Sequence, residues 1–243
     1  GLGKSPRSSK ITGCGRKGRG TLGDGCIRLS APRSERLERA RIVDVHVAGH
    51  ALEVAVAAER LGLSTSWISV VSENALGRKV LNKAREHGVD TSGIRMTADG
   101  RTGLVYTESG STPRMPGITE DLQSASFSYA SQISLDWSHL AESRALLIDL
   151  DALIRYPETE SAFRNAMSAA KSTDCTVAAC AGDQVARRTP DALGPLRSLC
   201  RGIDLLMADA DAALHLVGGP SSSGDLAHKL ARETEADLAV ISE

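Results

Sequence analysis

The chain has 243 residues, with 29 basic side chains against 30 acidic ones and a formal charge of −1. That balance excludes a globally basic nucleic-acid binder, and no apolar run reaches the roughly 20 residues a membrane-spanning helix needs. A hydrophobic fraction of 41% with only 3% aromatics leaves a core built from Ala, Leu, Val and Ile, sized for one large domain or one domain with a small appendage.

Residues 1–20 stand apart. Lys4, Arg7, Lys10, Arg16, Lys17 and Arg19 precede the first acid, Asp24, among many Gly and Ser residues. Such a composition buries no core and reads as a flexible basic tail. It is either an electrostatic arm for a nucleic acid or another acidic partner, or a solvated leader or targeting remnant. Gly13, Gly15 and Gly18 match the spacing of a dinucleotide fingerprint. They lack the preceding strand and following helix that give that motif its phosphate-binding amides, so it is set aside.

Thr21–Leu29 reads as the first core strand, Arg33–Arg41 as an exposed charged stretch, and Ile42–Val47 as a half-exposed strand by its alternation. Leu52, Val56 and Leu63 flank an Ala-rich run on one helical face, which Gly62 closes. Trp67, Ile68, Val70 and Val71 form a buried strand. Leu76, Val80, Leu81 and Ala84 give a second amphipathic helix ending at Gly88. Ile94–Thr97 is expected to pair with Leu104–Thr107 through a turn at Ala98-Asp99-Gly100.

Ser109–Ser134 is weakly patterned and reads as a loop. Beyond it come a short helix over His139–Arg144, a buried strand over Ala145–Ile148, and a helix over Glu160–Lys171 with Phe163 and Met167 inward. Strands over Thr176–Cys180, Ile203–Met207 and Asp237–Ile241 then alternate with helices over Leu193–Cys200, Ala210–Val217 and Leu226–Glu233. This alternation predicts a wound α/β domain with parallel strands and right-handed crossovers.

The five cysteines, Cys14, Cys26, Cys175, Cys180 and Cys200, include no CxxC pair. A disulfide framework is not expected in a chain of this kind, and a reducing compartment follows, the cytoplasm or an organelle matrix after removal of a targeting segment. Zinc would call for more closely spaced ligands. The six histidines show no metal spacing; of them, His50 beside Gly49 is the one placed near a site.

Two motifs carry a resemblance. The order G-x-A-x-x-V-A-x-x-x-x-R-L-G from Gly49 and L-G-R-x-V-L-N-x-x-R-x-x-G-V-D-T-S-G from Leu76 resemble the PfkB family of sugar kinases, 2-keto-3-deoxygluconate kinases in particular. Gly23-Asp24-Gly25 resembles the family's opening strand, and Arg101-Thr102-Gly103-Leu104 with Glu108 a later one; the likeness is specific over Thr21–Arg114. It implies a ribokinase-like three-layer αβα domain over residues 21–243, with a mostly parallel central sheet. A small β lid would come from strands around 42–47 and 94–108.

The resemblance also implies a substrate set of Asp24, Gly49, Glu53, Arg101 and Tyr106. Asp24 would accept sugar hydroxyls. Gly49 would allow close backbone approach, with Ala48 replacing the other member of a glycine pair. Glu53 stands where the family has Asn, and its charge would repel an acidic sugar by roughly 1–4 kcal/mol at close range. Tyr106 would stand in for the lid aromatic, beside Val105. ATP and Mg²⁺ would be the cofactors of an active enzyme, with Asp209 as a metal contact.

Other family positions depart from the pattern. The D-x-N-x-R strand end falls at Cys180-x-Gly182-x-Gln184, and the N-x-x-E motif at Asp209-x-x-Ala212. The G-A-G-D signature, which carries the family's catalytic base, would lie beyond Glu243. No catalytic residue is therefore assigned, and the domain is expected to be C-terminally truncated. The expectation is a degenerate, non-catalytic scaffold with a protein partner or second copy bound through the lid or an exposed sheet edge. The rival expectation is an active ATP-dependent carbohydrate kinase whose catalytic segment is missing from this sequence. A third is a sugar-binding protein without turnover.

Overall fold

A computed structural model describes residues 18–33, 35–187, 193–218 and 223–242. The basic segment through residue 17, including the first two glycines of the fingerprint, lies outside the described residues. Gly18 already belongs to β1 (Gly18–Leu22), so the expected tail boundary at residue 20 is too late.

Among the described residues, seven parallel strands form the main sheet. They are β1, β4 (Ser64–Ser72), β5 (Ile94–Thr97), β8 (Ser143–Asp149), β9 (Thr176–Ala181), β10 (Leu205–Asp209) and β11 (Leu238–Ser242). Their order is β11-β10-β9-β8-β1-β4-β5. A second, four-stranded sheet runs β3-β2-β6-β7, from β2 (Cys26–Ser30), β3 (Asp44–Ala48), β6 (Gly103–Glu108) and β7 (Gly117–Asp121).

Helices cover both faces of the main sheet. In β4, Ile68 and Val70 join one buried cluster while Trp67 and Val71 join the other, as a period of two requires. The first cluster holds Phe127, Phe163, Leu146 and Ile148. The second packs Trp67 against Ala51, Leu52 and Ala55 of α1 (His50–Arg60) and Val80, Leu81 and Ala84 of α2 (Ala75–Glu86). The α2 start is fixed by Asn74, whose Oδ1 accepts the Gly77 amide at 2.8 Å. Phe163 and Met167 of α4 (Glu160–Ser172) face inward as the pattern predicts.

Several expectations need correction. The apolar run Thr21–Leu29 is two strands in two sheets, because the chain turns sharply at Gly23–Gly25. A Cβ at Gly25 would lie 2.6 Å from the Trp67 ring, so only glycine lets the backbone pass there. Ile94–Thr97 does not form a hairpin with Leu104–Thr107. It extends the main sheet beside β4, whereas β6 pairs with β2 and β7. The small sheet thus excludes residues 94–97. It gains β7 from the stretch expected to be a loop. An unpredicted helix, α3 (Leu150–Arg155), follows β8 directly. The expected helix at His139–Arg144 is a 3-10 turn, Ser138–Glu142.

Among the described residues, the remaining α-helices are α5 (Asp183–Ala186), α6 (Gly194–Cys200), α7 (Ala210–Val217) and α8 (Ser223–Thr234). No helix among the described residues is long and apolar enough to cross a membrane.

Candidate functional site

In a parallel α/β sheet, ligands gather beyond the carboxyl ends of the strands. Here that end faces the small sheet, and a cleft of about 290 Å³ lies between them. Its floor includes Asp24, Gly49, His50, Glu53, Asp151, Arg155 and Gln184, and its roof Arg28, Val105, Thr107, Ile118 and Glu120. A larger hollow of about 460 Å³ opens at Gly18, Ser64 and Ser143, the amino ends of β1, β4 and β8. Its position is wrong for the strand-end chemistry of this fold, so the smaller cleft is the better candidate.

Asp24 sits at the turn between β1 and β2 and is only 2% exposed. Its Oδ2 accepts the Tyr156 hydroxyl at 3.3 Å, while Oδ1 has no hydrogen-bond partner among the described residues. The nearest cation is Arg155, with Nη1 3.9 Å from that oxygen. Burial pushes the Asp24 carboxyl above its ordinary range, and Arg155 pulls it part of the way back. Arg155 Nε also binds Glu120 at 3.1 Å, and Gln184 Nε2 donates to the same carboxylate at 3.3 Å. Burial works against the Arg155 charge, but Asp24, Asp149, Glu120 and Asp151 together hold its pKa above the ordinary value.

Gly49 caps α1 with φ of +148°, and a Cβ there would stand 2.4 Å from the Asp24 carbonyl oxygen. The glycine is required by both the backbone angle and the contact. It delivers His50 to the cleft as the first residue of α1. His50 Nδ1 lies 3.5 Å from Cys180 Sγ and 3.9 Å from Asp149 Oδ1. The spacing of histidines and cysteines in sequence gave no hint of this cluster; β8–β9 pairing and α1 packing create it.

Asp149 is fully buried, and its Oδ1 accepts the Asp151 amide at 3.0 Å at the start of α3. Burial, with the charges of Asp24 and Asp151, pushes its carboxyl up to about 8. Asp151 in turn accepts the Gly182 amide at 3.0 Å and so ties α3 to the end of β9.

Of the residues expected from sequence, Asp24, Gly49 and Glu53 line the cleft. Arg101 does not. Its guanidinium pairs with Asp121 and donates to the carbonyl of Gln123 at 3.0 Å, fastening β6 to β7 from outside. Tyr106 is also absent from the lining: Val105 and Thr107 face the cleft, and strand alternation turns Tyr106 to the other side. Asp209 caps α7, with Oδ1 accepting the Ala212 amide at 2.6 Å. Ala212 itself is fully buried and apolar, so Asp209 has no second carboxylate there for a hard cation.

Sequence reasoning missed Arg155, Tyr156, Glu120 and Asp149. One signal was available: the acids of Leu147-Ile148-Asp149-Leu150-Asp151 follow an apolar run directly, as strand-end carboxylates do.

Comparison with known proteins agrees with this architecture. A 110-residue stretch is 41% identical to a 2-dehydro-3-deoxygalactonokinase of Haloferax volcanii, covering 45% of this chain and 34% of that protein. A 158-residue stretch is 31% identical to a 5-dehydro-2-deoxygluconokinase of Shouchella clausii, covering 64% and 48%. The matches thus span less than half the length of these two relatives. Among solved structures, the 2-dehydro-3-deoxygluconokinase of Thermotoga maritima superposes with a TM-score of 0.85 at 21% identity, over 93% of this chain and 71% of that one. A PfkB protein from Polaromonas gives 0.81 at 22% identity, over 92% and 76%. These structures share the ribokinase-like α/β fold. The family model described as pfkB family carbohydrate kinase matches residues 21–243. By its sequence and by the two-sheet frame around Asp24, this chain belongs to the PfkB family of carbohydrate kinases.

Proposed function

We propose that this chain forms the sugar-binding part of a carbohydrate kinase, and that its cleft takes a neutral polyhydroxylated sugar. The observation that carries the reading is Asp24 Oδ1. This carboxylate oxygen is buried and without a hydrogen-bond partner at the edge of a cleft. Leaving such a group unpaired costs about 1–3 kcal/mol or more, and a ligand hydroxyl donating to it removes that cost. Tyr156 holds Oδ2 by its hydroxyl, and Arg155 stands 3.9 Å from Oδ1 on the cleft floor.

The preference for a neutral ligand rests on charge. Asp24, Glu53, Glu120, Asp151 and Asp183 line the cleft against Arg28 and Arg155, and Arg155 is already shared by Asp24 and Glu120. A ligand carboxylate entering this field would meet repulsion of roughly 1–4 kcal/mol per close contact. ATP and Mg²⁺ are the cofactors the kinase reading requires, with Asp209 as the chain's own candidate contact. No step through them follows from the residues present.

A second reading, sugar binding without turnover or service as a non-catalytic subunit, is favoured by one observation. Asp209 is engaged as a helix cap, and apolar Ala212 stands where a second acid would complete the pair. Calorimetry with a panel of neutral sugars and sugar acids tests the binding claim. Neutral ligands should bind at least tenfold more tightly than their carboxylate counterparts; equal or reversed affinities would remove the assignment. Turnover of the bound sugar with ATP and Mg²⁺ by the whole protein separates the two readings.

A further inference from the structure

Beside the cleft floor, three side chains of different chemistry converge from distant points of the sequence. His50 opens α1, Asp149 ends β8 and Cys180 lies in β9, and their ligand atoms all fall within 4.8 Å of one another. The observed separations are 3.5 Å from His50 Nδ1 to Cys180 Sγ and 3.9 Å from His50 Nδ1 to Asp149 Oδ1. Around a tetrahedral zinc ion, with bonds of about 2.0–2.3 Å, neighbouring donors stand roughly 3.4–3.6 Å apart. The two His50 separations lie within a few tenths of an ångström of that spacing, and the third, between Cys180 and Asp149, is no more than 4.8 Å.

Two more observations point to a cation. Asp149 is 0% exposed; its Oδ1, the oxygen 3.9 Å from His50, also accepts the Asp151 amide, and its Oδ2, on the Gly23 side, has no hydrogen-bond partner among the described residues. A buried carboxyl with an idle oxygen is costly unless something positive or protic meets it. The cluster also has a way in, since the His50 side chain is 45% exposed and lines the cleft. One imidazole, one thiol and one carboxyl suit a borderline-soft ion of the zinc class; magnesium and calcium prefer sets made wholly of oxygen.

We propose that His50, Asp149 and Cys180 form a three-ligand site for a divalent ion of the zinc class, with its fourth position open to the cleft. Such a site has the ligand count and the open position typical of zinc centres that bind an exchangeable water or substrate atom. Uptake would deprotonate the Cys180 thiol, which otherwise donates weakly to the Ile148 carbonyl at 3.6 Å, and any proton held by Asp149, releasing both to solvent. The inference does not depend on which sugar, if any, the cleft binds.

The test is titration of the chelator-treated full chain with Zn²⁺ alone, followed by Co²⁺ as an absorbing substitute. The expected result is one equivalent bound, proton release, and a thiolate-to-cobalt charge-transfer band. Cys180→Ser should abolish the band, and His50→Ala should weaken uptake at least tenfold, while Cys200→Ser, outside the cluster, should change neither. Because Cys180 and Asp149 are buried, thermal melting is run on every variant. The exposed His50 is the substitution for which folding is least at stake. Absence of saturable uptake, uptake unchanged by His50→Ala, or a cobalt spectrum without the thiolate band would overturn the site.

Discussion

The Tyr156 hydroxyl donates to Asp24 Oδ2 across 3.3 Å, joining residues 132 positions apart at one end of a cleft. Arg155, the preceding residue, reaches the other oxygen of the same carboxylate from 3.9 Å. The last residue of α3 and the one that follows it therefore orient the group proposed to grip the ligand.

Asp24→Asn keeps the shape of the side chain but removes its charge and half its accepting capacity. Sugar affinity should fall by at least tenfold, about 1.4 kcal/mol, with the fold retained. Tyr156→Phe should cost less, because it frees Asp24 to move without removing it. Calorimetry on the two variants checks the ranking, and an Asp24→Asn protein that binds as well as the parent would dismiss the role given to Asp24.

Stability should decline as pH rises through the neutral range. The Asp149 carboxyl keeps its proton up to about 8 in the folded chain, against 3.8 for the ordinary group. Between those values the folded state binds one proton more than the unfolded state. Raising the pH thus favours unfolding, by up to about 1.4 kcal/mol per pH unit, and the effect levels off above the folded value. The raised Asp24 carboxyl acts in the same direction. Melting curves recorded with chelator present should show Tm falling from about pH 5 to about pH 8. Asp149→Asn, permanently neutral, should flatten that slope.

Gly49→Ala should destabilise the chain by about 1–3 kcal/mol from backbone strain alone, with more from the Cβ placed 2.4 Å from the Asp24 carbonyl oxygen. Urea unfolding measures the loss. An Ala at this position without cost would mean that α1 starts differently.

Arg101→Ala should leave sugar affinity unchanged, since the guanidinium fastens Asp121 and Gln123 outside the cleft. Arg155→Ala should weaken binding strongly and free both Asp24 and Glu120. The contrast is read by calorimetry on the two variants side by side.

Phe163→Ala should cost about 3–5 kcal/mol. The ring is fully buried and meets Phe127 edge-on at 6.3 Å in a core with few aromatics. Denaturant unfolding with an unchanged m-value would confirm a packing loss in an otherwise intact fold.

Much of the frame was legible in the sequence because its signals are local. The periodicity of Val80, Leu81 and Ala84 gave α2, although Leu76 at its start is exposed, and Trp67–Val71 gave a buried strand. The errors arose where local signals are ambiguous. Ile94–Thr97 and Leu104–Thr107 are both short apolar runs around an Asp-Gly turn, which reads as a hairpin. Only the pairing of β5 with β4 and of β6 with β2 separates them.

The site divided in the same way. Asp24 and Gly49 sit in recognisable motifs. Arg155 and the cluster of His50, Asp149 and Cys180 are placed by β1 lying beside β8 and β8 beside β9, and Glu120 by the pairing of β7 with β6. Arg101 lies outside the cleft lining, because its motif fixes a strand and not a direction of approach.

Only Gly23, Asp24 and Gly25 separate β1 from β2, and the Trp67 indole N–H clamps this link by donating to the Gly23 carbonyl at 3.2 Å. The proposed gripping carboxylate thus rides on the pivot between platform and cover. Any tilt of the cover would rotate Asp24 and disturb the indole beneath it, so Trp67 emission, recorded in a Trp137→Phe background, would report the cover angle.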